Sequence, residues 1–164
     1  MGLRIRQESE IDNDLFNAPE AWKVVTVNCV GAMGKGIALA CKQRYPAIYE
    51  DYRARCRRIE IVTGELSIYE KERIILLPTK IHFKDPSCTD FVLDGIGALA
   101  TEDNDYLGGV ALPPLGMVNG WLRLHQRQQC YLRLAQVLKP DPRQFTLYLP
   151  NSLYDECRAY LTNL

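Results

Sequence analysis

The sequence has no excess of positive charge: lysine plus arginine and aspartate plus glutamate each number 20, so the formal net charge at pH 7 is zero. A protein that grips bare nucleic acid through its phosphates is normally basic. That class is set aside, but recognition of a modification carried by nucleic acid is not. Histidine is scarce (His82 and His125 alone), and the six cysteines at 29, 41, 56, 88, 130 and 157 include no C-x-x-C pair. Such a set gives little support for a zinc site. Scattered cysteines without a signal peptide read as reduced thiols of a cytoplasmic protein. No apolar run is long enough to span a bilayer, and no repeat, low-complexity tract or linker interrupts the 164 residues. At 47% hydrophobic, the chain is expected to form one domain, 1–164, with a full core.

What the sequence does have is a strand that runs into a glycine-rich turn. Val24-Val25-Thr26-Val27 is a β-branched apolar run. Asn28-Cys29-Val30-Gly31-Ala32-Met33-Gly34-Lys35-Gly36 follows, and Ile37-Ala38-Leu39-Ala40 opens a helix. Backbone N–H groups at such a turn, together with the helix dipole, favour an anion. The glycines permit positive φ angles and close approach of a phosphate. Two standard phosphate loops do not fit. A P-loop needs four residues before Gly-Lys and a Ser or Thr after it, whereas only Ala32 and Met33 separate Gly31 from Gly34-Lys35, and Gly36 follows. The dinucleotide fingerprint G-x-G-x-x-G appears here with its spacing reversed. An ordinary tight strand–helix turn without ligand is the alternative that the glycines alone leave open.

The remaining pattern alternates. Strands are expected at 3–6 (an edge), 22–28, 64–70, 73–77, 110–113 and 144–149, with helices at 36–44, 47–58, 89–103, 121–138 and 152–164. A polar, acidic connection occupies 8–14, and Pro46 stops the first helix. This order predicts an α/β fold with a mostly parallel sheet and helices on both faces. The run Arg53, Arg55, Arg57 and Arg58 suits a solvated face at a helix C-terminus; a nucleic-acid contact is the sharper alternative. In open α/β sheets ligands lie beyond the carboxyl ends of the strands. Three segments here follow strand ends: 28–36, 79–84 and 115–120. Two glycine-bearing loops with a lysine and a histidine between them would suit a diphosphate.

These residues resemble the ADP-ribose-binding macrodomains, in the branch that contains the DarG antitoxin and the human terminal ADP-ribose glycohydrolase. The resemblance covers nearly the whole chain. It rests on the segment from Thr26 to Leu39, on Pro78-Thr79-Lys80-Ile81-His82, and on Leu112-Pro113-Pro114-Leu115-Gly116 with Asn119-Gly120. It implies a single macrodomain that needs no metal or redox cofactor, with ADP-ribose as ligand or product. Asp14, beside Leu15, would accept the adenine amino group, with Pro150 alongside the base. Gly31, Ala32, Met33, Gly34, Lys35, Gly36 and Ile37 would wrap the diphosphate and distal ribose from one side. Leu115, Gly116, Met117, Val118, Asn119 and Gly120 would do so from the other. Asn28 would hydrogen-bond near the distal ribose, and Thr79, Lys80 and His82 would complete the site.

Lys80 matches the lysine which that branch uses for catalysis, so Lys80 and Asn28 are the expected catalytic residues. A neutral amine would attack the anomeric carbon; a protonated one would stabilise the departing group. The second loop departs from the family pattern: Val118 stands in place of a glycine, and no acid occurs between Leu115 and Leu124, where the human relative uses an aspartate. The implied activity is removal of ADP-ribose from a macromolecule, foremost a DNA base such as thymidine or guanosine. The alternatives are a non-catalytic ADP-ribose reader and a hydrolase of ADP-ribosyl esters on Glu or Asp. The implied partners are ADP-ribosylated DNA or protein and a cognate ADP-ribosyltransferase toxin. No membrane is involved, and a monomer is expected.

Overall fold

The run Ile74-Ile75-Leu76-Leu77 has no polar alternation, so a strand built from it must be covered on both faces. In the computed structural model, which describes residues 2–118 and 122–164, it forms strand β4 (Ile74–Pro78), with those four side chains at most 1% exposed. Burying each contributes about 1.5–3 kcal/mol. β1 (Gly2–Gln7), β2 (Trp22–Val27), β3 (Ser67–Tyr69), β5 (Val110–Leu112) and β6 (Gln144–Leu149) complete the sheet, in the order β1-β6-β5-β2-β4-β3. All neighbours are parallel except β3 and β4. The α/β fold with a mostly parallel sheet is therefore the observed one.

Strand alternation divides the core. Val24, Ile75, Leu77, Val110, Leu112, Phe145 and Leu147 face α3 (Thr89–Thr101), α4 (Leu124–Leu138) and α5 (Asn151–Thr162). Val25, Val27, Ile74 and Leu76 face α1 (Gly36–Arg44) and α2 (Pro46–Arg57). On that second face, Ala111 and Tyr148 are covered by Ile11 and Leu15, from two short 3-10 turns at Glu8–Ile11 and Leu15–Asn17, and by Ala18, which ends the second. Both faces are thus closed. No helix among the described residues is long and apolar enough to cross a membrane.

Several boundaries differ from the sequence expectation, each for a local reason. The segment expected as a strand over 64–70 pairs only at Ser67–Tyr69, because Gly64 takes a positive φ of 83° in a turn. The helix expected from residue 121 begins at Leu124; Arg127 donates to the Leu122 carbonyl at 2.8 Å and holds that residue outside the helix, while Trp121 lies outside the described residues. The polar connection expected over 8–14 contains the first 3-10 turn. Pro46 ends α1 as expected and also opens α2, where its missing N–H costs nothing. α3 stops at Thr101 instead of 103. There Arg143 donates to the carbonyls of Leu99, Ala100, Glu102 and Asn104, capping the helix from the bend that precedes β6. The same guanidinium holds the Asp141 carboxyl below its ordinary range.

Candidate functional site

Four parallel strands, β6, β5, β2 and β4, are adjacent, so the segments that leave their carboxyl ends share one edge of the sheet. From β2 comes the 28–36 loop, from β4 the 79–88 segment, from β5 residues 113–118, and from β6 Pro150, which caps the N-terminus of α5. The three longer segments are stitched together. Cys29 N–H donates to the Ile81 carbonyl at 2.8 Å, and Thr79 N–H to the Val27 carbonyl at 3.0 Å. Gly116 lies against Ser87: a methyl placed on it would sit 2.9 Å from Ser87 Cβ and 3.8 Å from Thr79 Cβ.

The first loop is braced from inside. Asn28 is 7% exposed, and its amide nitrogen donates to the Ala32 carbonyl at 2.8 Å. Its Oδ1 accepts from Val30 N–H at 3.0 Å, Ala32 N–H at 3.3 Å and the Tyr52 hydroxyl at 2.9 Å. An amide offers two donors and one doubly accepting oxygen. Asn28 therefore spends most of its capacity on holding the loop's shape, and one N–H is left for a ligand.

The single Tyr52 hydroxyl hydrogen is shared between Asn28 Oδ1 and the Asn28 carbonyl, which lies at 2.8 Å, and burial pushes the phenol well above the ordinary range, so it remains a donor. Tyr52 reads in the sequence as a core position on α2; its bond to a loop 24 residues away has no local signal. Tyr52→Phe leaves buried Asn28 oxygens short of a donor, which costs about 1–3 kcal/mol. Urea unfolding should show that loss, and a change near zero would mean that the brace carries nothing.

Beyond the brace the loop opens outward. Met33 is 2% exposed and anchors in the core, whereas methyls at Gly34 or Gly36 would meet nothing within 4 Å. Gly36 begins α1 at φ 53°, and no side chain caps that helix N-terminus. Bare N–H groups at a helix start form an anion site. Ile37 packs against both Leu15's cluster and the α1–α2 core, which brings the 14–15 segment to the same loop. Asp14 itself accepts from Phe16 N–H at 2.9 Å and lies 3.6 Å from Arg44. Burial raises the Cys29 thiol above its ordinary value, so the cysteine in this loop is a poor nucleophile.

On the far side, Leu115 and Gly116 are successive left-handed residues, at φ 57° and 82°. Leu115 is fully buried and Met117 is 3% exposed, while Val118 is 49% exposed. Asn119 and Gly120 lie outside the described residues. A cavity of 300 Å³ opens between Met117, Val118, Leu122 and Pro150, with the Arg127–Glu156 ion pair at its wall. That guanidinium, with the Tyr131 hydroxyl, holds the Glu156 carboxyl below its ordinary range. A larger cavity, of 910 Å³, lies along β1 and α5 and touches none of the residues expected in the site. The stitched loops, not cavity size, locate the site.

Thr79 is 2% exposed, and its carbonyl accepts from Cys88 N–H at 3.0 Å. Lys80 and His82 are half-buried on the segment that touches both other loops. No aspartate or glutamate pairs with Lys80 among the described residues. Lys80 thus stands on a segment bonded through Ile81 to the glycine-bearing first loop.

No family model matches the chain. It is 38% identical over 135 residues to a curated DNA ADP-ribosyl glycohydrolase of Mycobacterium tuberculosis, a match that takes in 78% of this chain and 38% of that protein's length. The solved macrodomain of Mycobacterium tuberculosis DarG is 35% identical with a TM-score of 0.76, over 92% of this chain and all of that one. A solved Thermosipho africanus DarTG in complex with ADP-ribose is 25% identical, with a TM-score of 0.73 over 85% of this chain and 40% of that one.

Proposed function

Because the chain belongs to the DarG-like macrodomains, we propose that it removes ADP-ribose from ADP-ribosylated DNA bases. One observation carries the reading. Three loops from adjacent strand ends are held in one rim, two by hydrogen bonds and the third by packing of Gly116 on Ser87, and a lysine with no acidic partner among the described residues stands on the segment that touches the other two. Gly34 to Ile37, at the uncapped start of α1, supply the diphosphate side. Leu115 to Val118 oppose them, and the Asp14–Leu15 segment with Pro150 serves the adenosine end. The Mycobacterium tuberculosis relative is named for this activity on DNA, and the Thermosipho africanus structure holds ADP-ribose.

Lys80 is the proposed catalytic residue. Its neutral amine attacks the anomeric carbon of the distal ribose and displaces the base, which leaves with a proton from water; the adduct opens to a Schiff base, and water then hydrolyses it to free ADP-ribose and the lysine amine. Alternatively, as an ammonium it stabilises the departing base while water adds to the anomeric carbon. Asn28 shapes the loop and offers its remaining N–H to the ribose. The chemistry asks for an amine, hydrogen-bond donors and water, so a chelator is expected to leave the rate unchanged. The same reading places the protein in the cytoplasm as a monomer, with a cognate ADP-ribosyltransferase toxin as a further partner.

The deciding experiment follows free ADP-ribose released by the wild-type protein from modified single-stranded DNA and from a protein modified on glutamate. Release from DNA alone is expected. Release from the protein alone would make it an esterase. The absence of any acid from Leu115 to Val118 favours a reader as the second reading, and binding of ADP-ribose without release from either substrate would establish it.

A further inference from the structure

Large apolar side chains left exposed are concentrated at this site. Of the nine such residues among those described, Val30, Ile81, Phe83 and Val118 lie on its three loops, each 46–50% exposed. Clustering of this kind around a cleft marks a contact surface. Phe83 is the flat member. Its ring stacks on His82 with centroids 4.3 Å apart and planes 28° from parallel, and Lys84 Nζ lies 5.9 Å from its centroid. The turn beneath it is tied down: His82 Nδ1 accepts from Lys84 N–H at 3.1 Å, and Asp85 accepts from His82 N–H at 3.1 Å. An exposed ring is thus held in place three residues after Lys80.

Cations continue the surface. The Ile81 carbonyl is bonded to Cys29, and a methyl on Gly31 would lie 3.5 Å from Arg53 Cγ, so the Phe83 turn, the first loop and α2 are contiguous. Arg55 and Arg58 are drawn to Glu60. Arg53 and Arg57 are exposed and have no acidic partner among the described residues. A rigid aromatic face bordered by a few unpaired cations is how single-stranded nucleic acid is held without sequence readout. An acidic peptide would use the arginines but has no planar group for the ring.

We infer that Phe83, backed by His82, is a stacking platform for the base next to the ADP-ribosylated one in single-stranded DNA, with the flanking phosphates directed to Arg53 and Arg57. This rests on the reading of the site as an ADP-ribosyl-DNA hydrolase and adds how the polynucleotide is held. Because the protein carries no net charge, stacking is the larger contribution. Neutralising two phosphates of a single strand gives a salt slope of only about −1.4 in log–log form.

The test compares wild type, Phe83→Ala and Phe83→Trp on an oligonucleotide with one ADP-ribosylated thymine and on ADP-ribosylated thymidine alone, with free ADP-ribose affinity measured alongside. Phe83→Ala should raise KM for the oligonucleotide by about tenfold, the scale of one base–aromatic stack. It should leave kcat, the nucleoside reaction and ADP-ribose affinity unchanged, and Phe83→Trp should restore the KM. Equal effects on oligonucleotide and nucleoside, no effect on either, or an equal loss with an ADP-ribosylated peptide would overturn the inference alone. A wild-type protein that neither binds ADP-ribose nor acts on any of these substrates would overturn the site reading itself, and this inference with it.

Discussion

Replacing Lys80 with alanine will slow release of ADP-ribose from modified DNA by at least about 100-fold, the lower range for loss of a group that moves or holds a proton in the transition state. Affinity for free ADP-ribose will change little. A half-exposed cation near an anion contributes about 0–1 kcal/mol, so the dissociation constant should rise less than about fivefold. This split between turnover and binding distinguishes a residue at the reacting carbon from one that only holds the diphosphate. Lys80→Arg divides the two chemical routes. A guanidinium keeps the charge but does not become a neutral nucleophile, so turnover that survives in the arginine variant assigns Lys80 an electrostatic role. Loss in both variants, with borohydride trapping of ADP-ribose on the wild-type lysine, assigns the covalent one. Release by Lys80→Ala at the wild-type rate removes Lys80 from the mechanism.

What the chain reveals before folding is what its local pattern encodes. The β-branched run at 24–27 and the glycines at 31, 34 and 36 announce a strand, a turn and a helix start, because period and backbone freedom are properties of neighbours in sequence. The same holds for β4, whose unbroken apolar run requires cover on both faces. The resemblance to macrodomains adds candidate residues to this frame. What it does not reveal is how the loops hold one another. Tyr52 reads as one more core tyrosine on α2, yet its hydroxyl fixes Asn28. Asn28 is expected at the ribose, and most of its hydrogen-bonding capacity is turned inward. Arg143 closes α3 from about 40 residues away. Contacts between distant segments have no period to read, so bracing residues stay hidden while glycine-bearing turns are visible.

The contact between Gly116 and Ser87 is of that hidden kind, and its loss should have the largest effect on the loop architecture. Gly116→Ala meets two separate penalties. At φ 82° a left-handed conformation costs an L-residue about 1–2 kcal/mol. The new Cβ would also stand 2.9 Å from the Cβ of Ser87, a side chain only 5% exposed, and overpacking of this order costs about 1–3 kcal/mol. The loop cannot easily relieve either one, because fully buried Leu115 is already left-handed at φ 57° just before it. The variant should therefore lose about 2–5 kcal/mol of stability in urea unfolding. It should also bind ADP-ribose at least about tenfold more weakly, since 1.4 kcal/mol of loop displacement is enough for that. Adding Ser87→Gly removes the collision and leaves the backbone penalty, so the double variant should recover about half of each loss, the signature of direct coupling. No recovery would mean that Ser87 is not the obstacle, and full recovery would mean that the left-handed turn at Gly116 tolerates a side chain. Partial recovery of binding in step with stability would show that the second loop holds the ligand through its shape, set from the segment that carries Lys80.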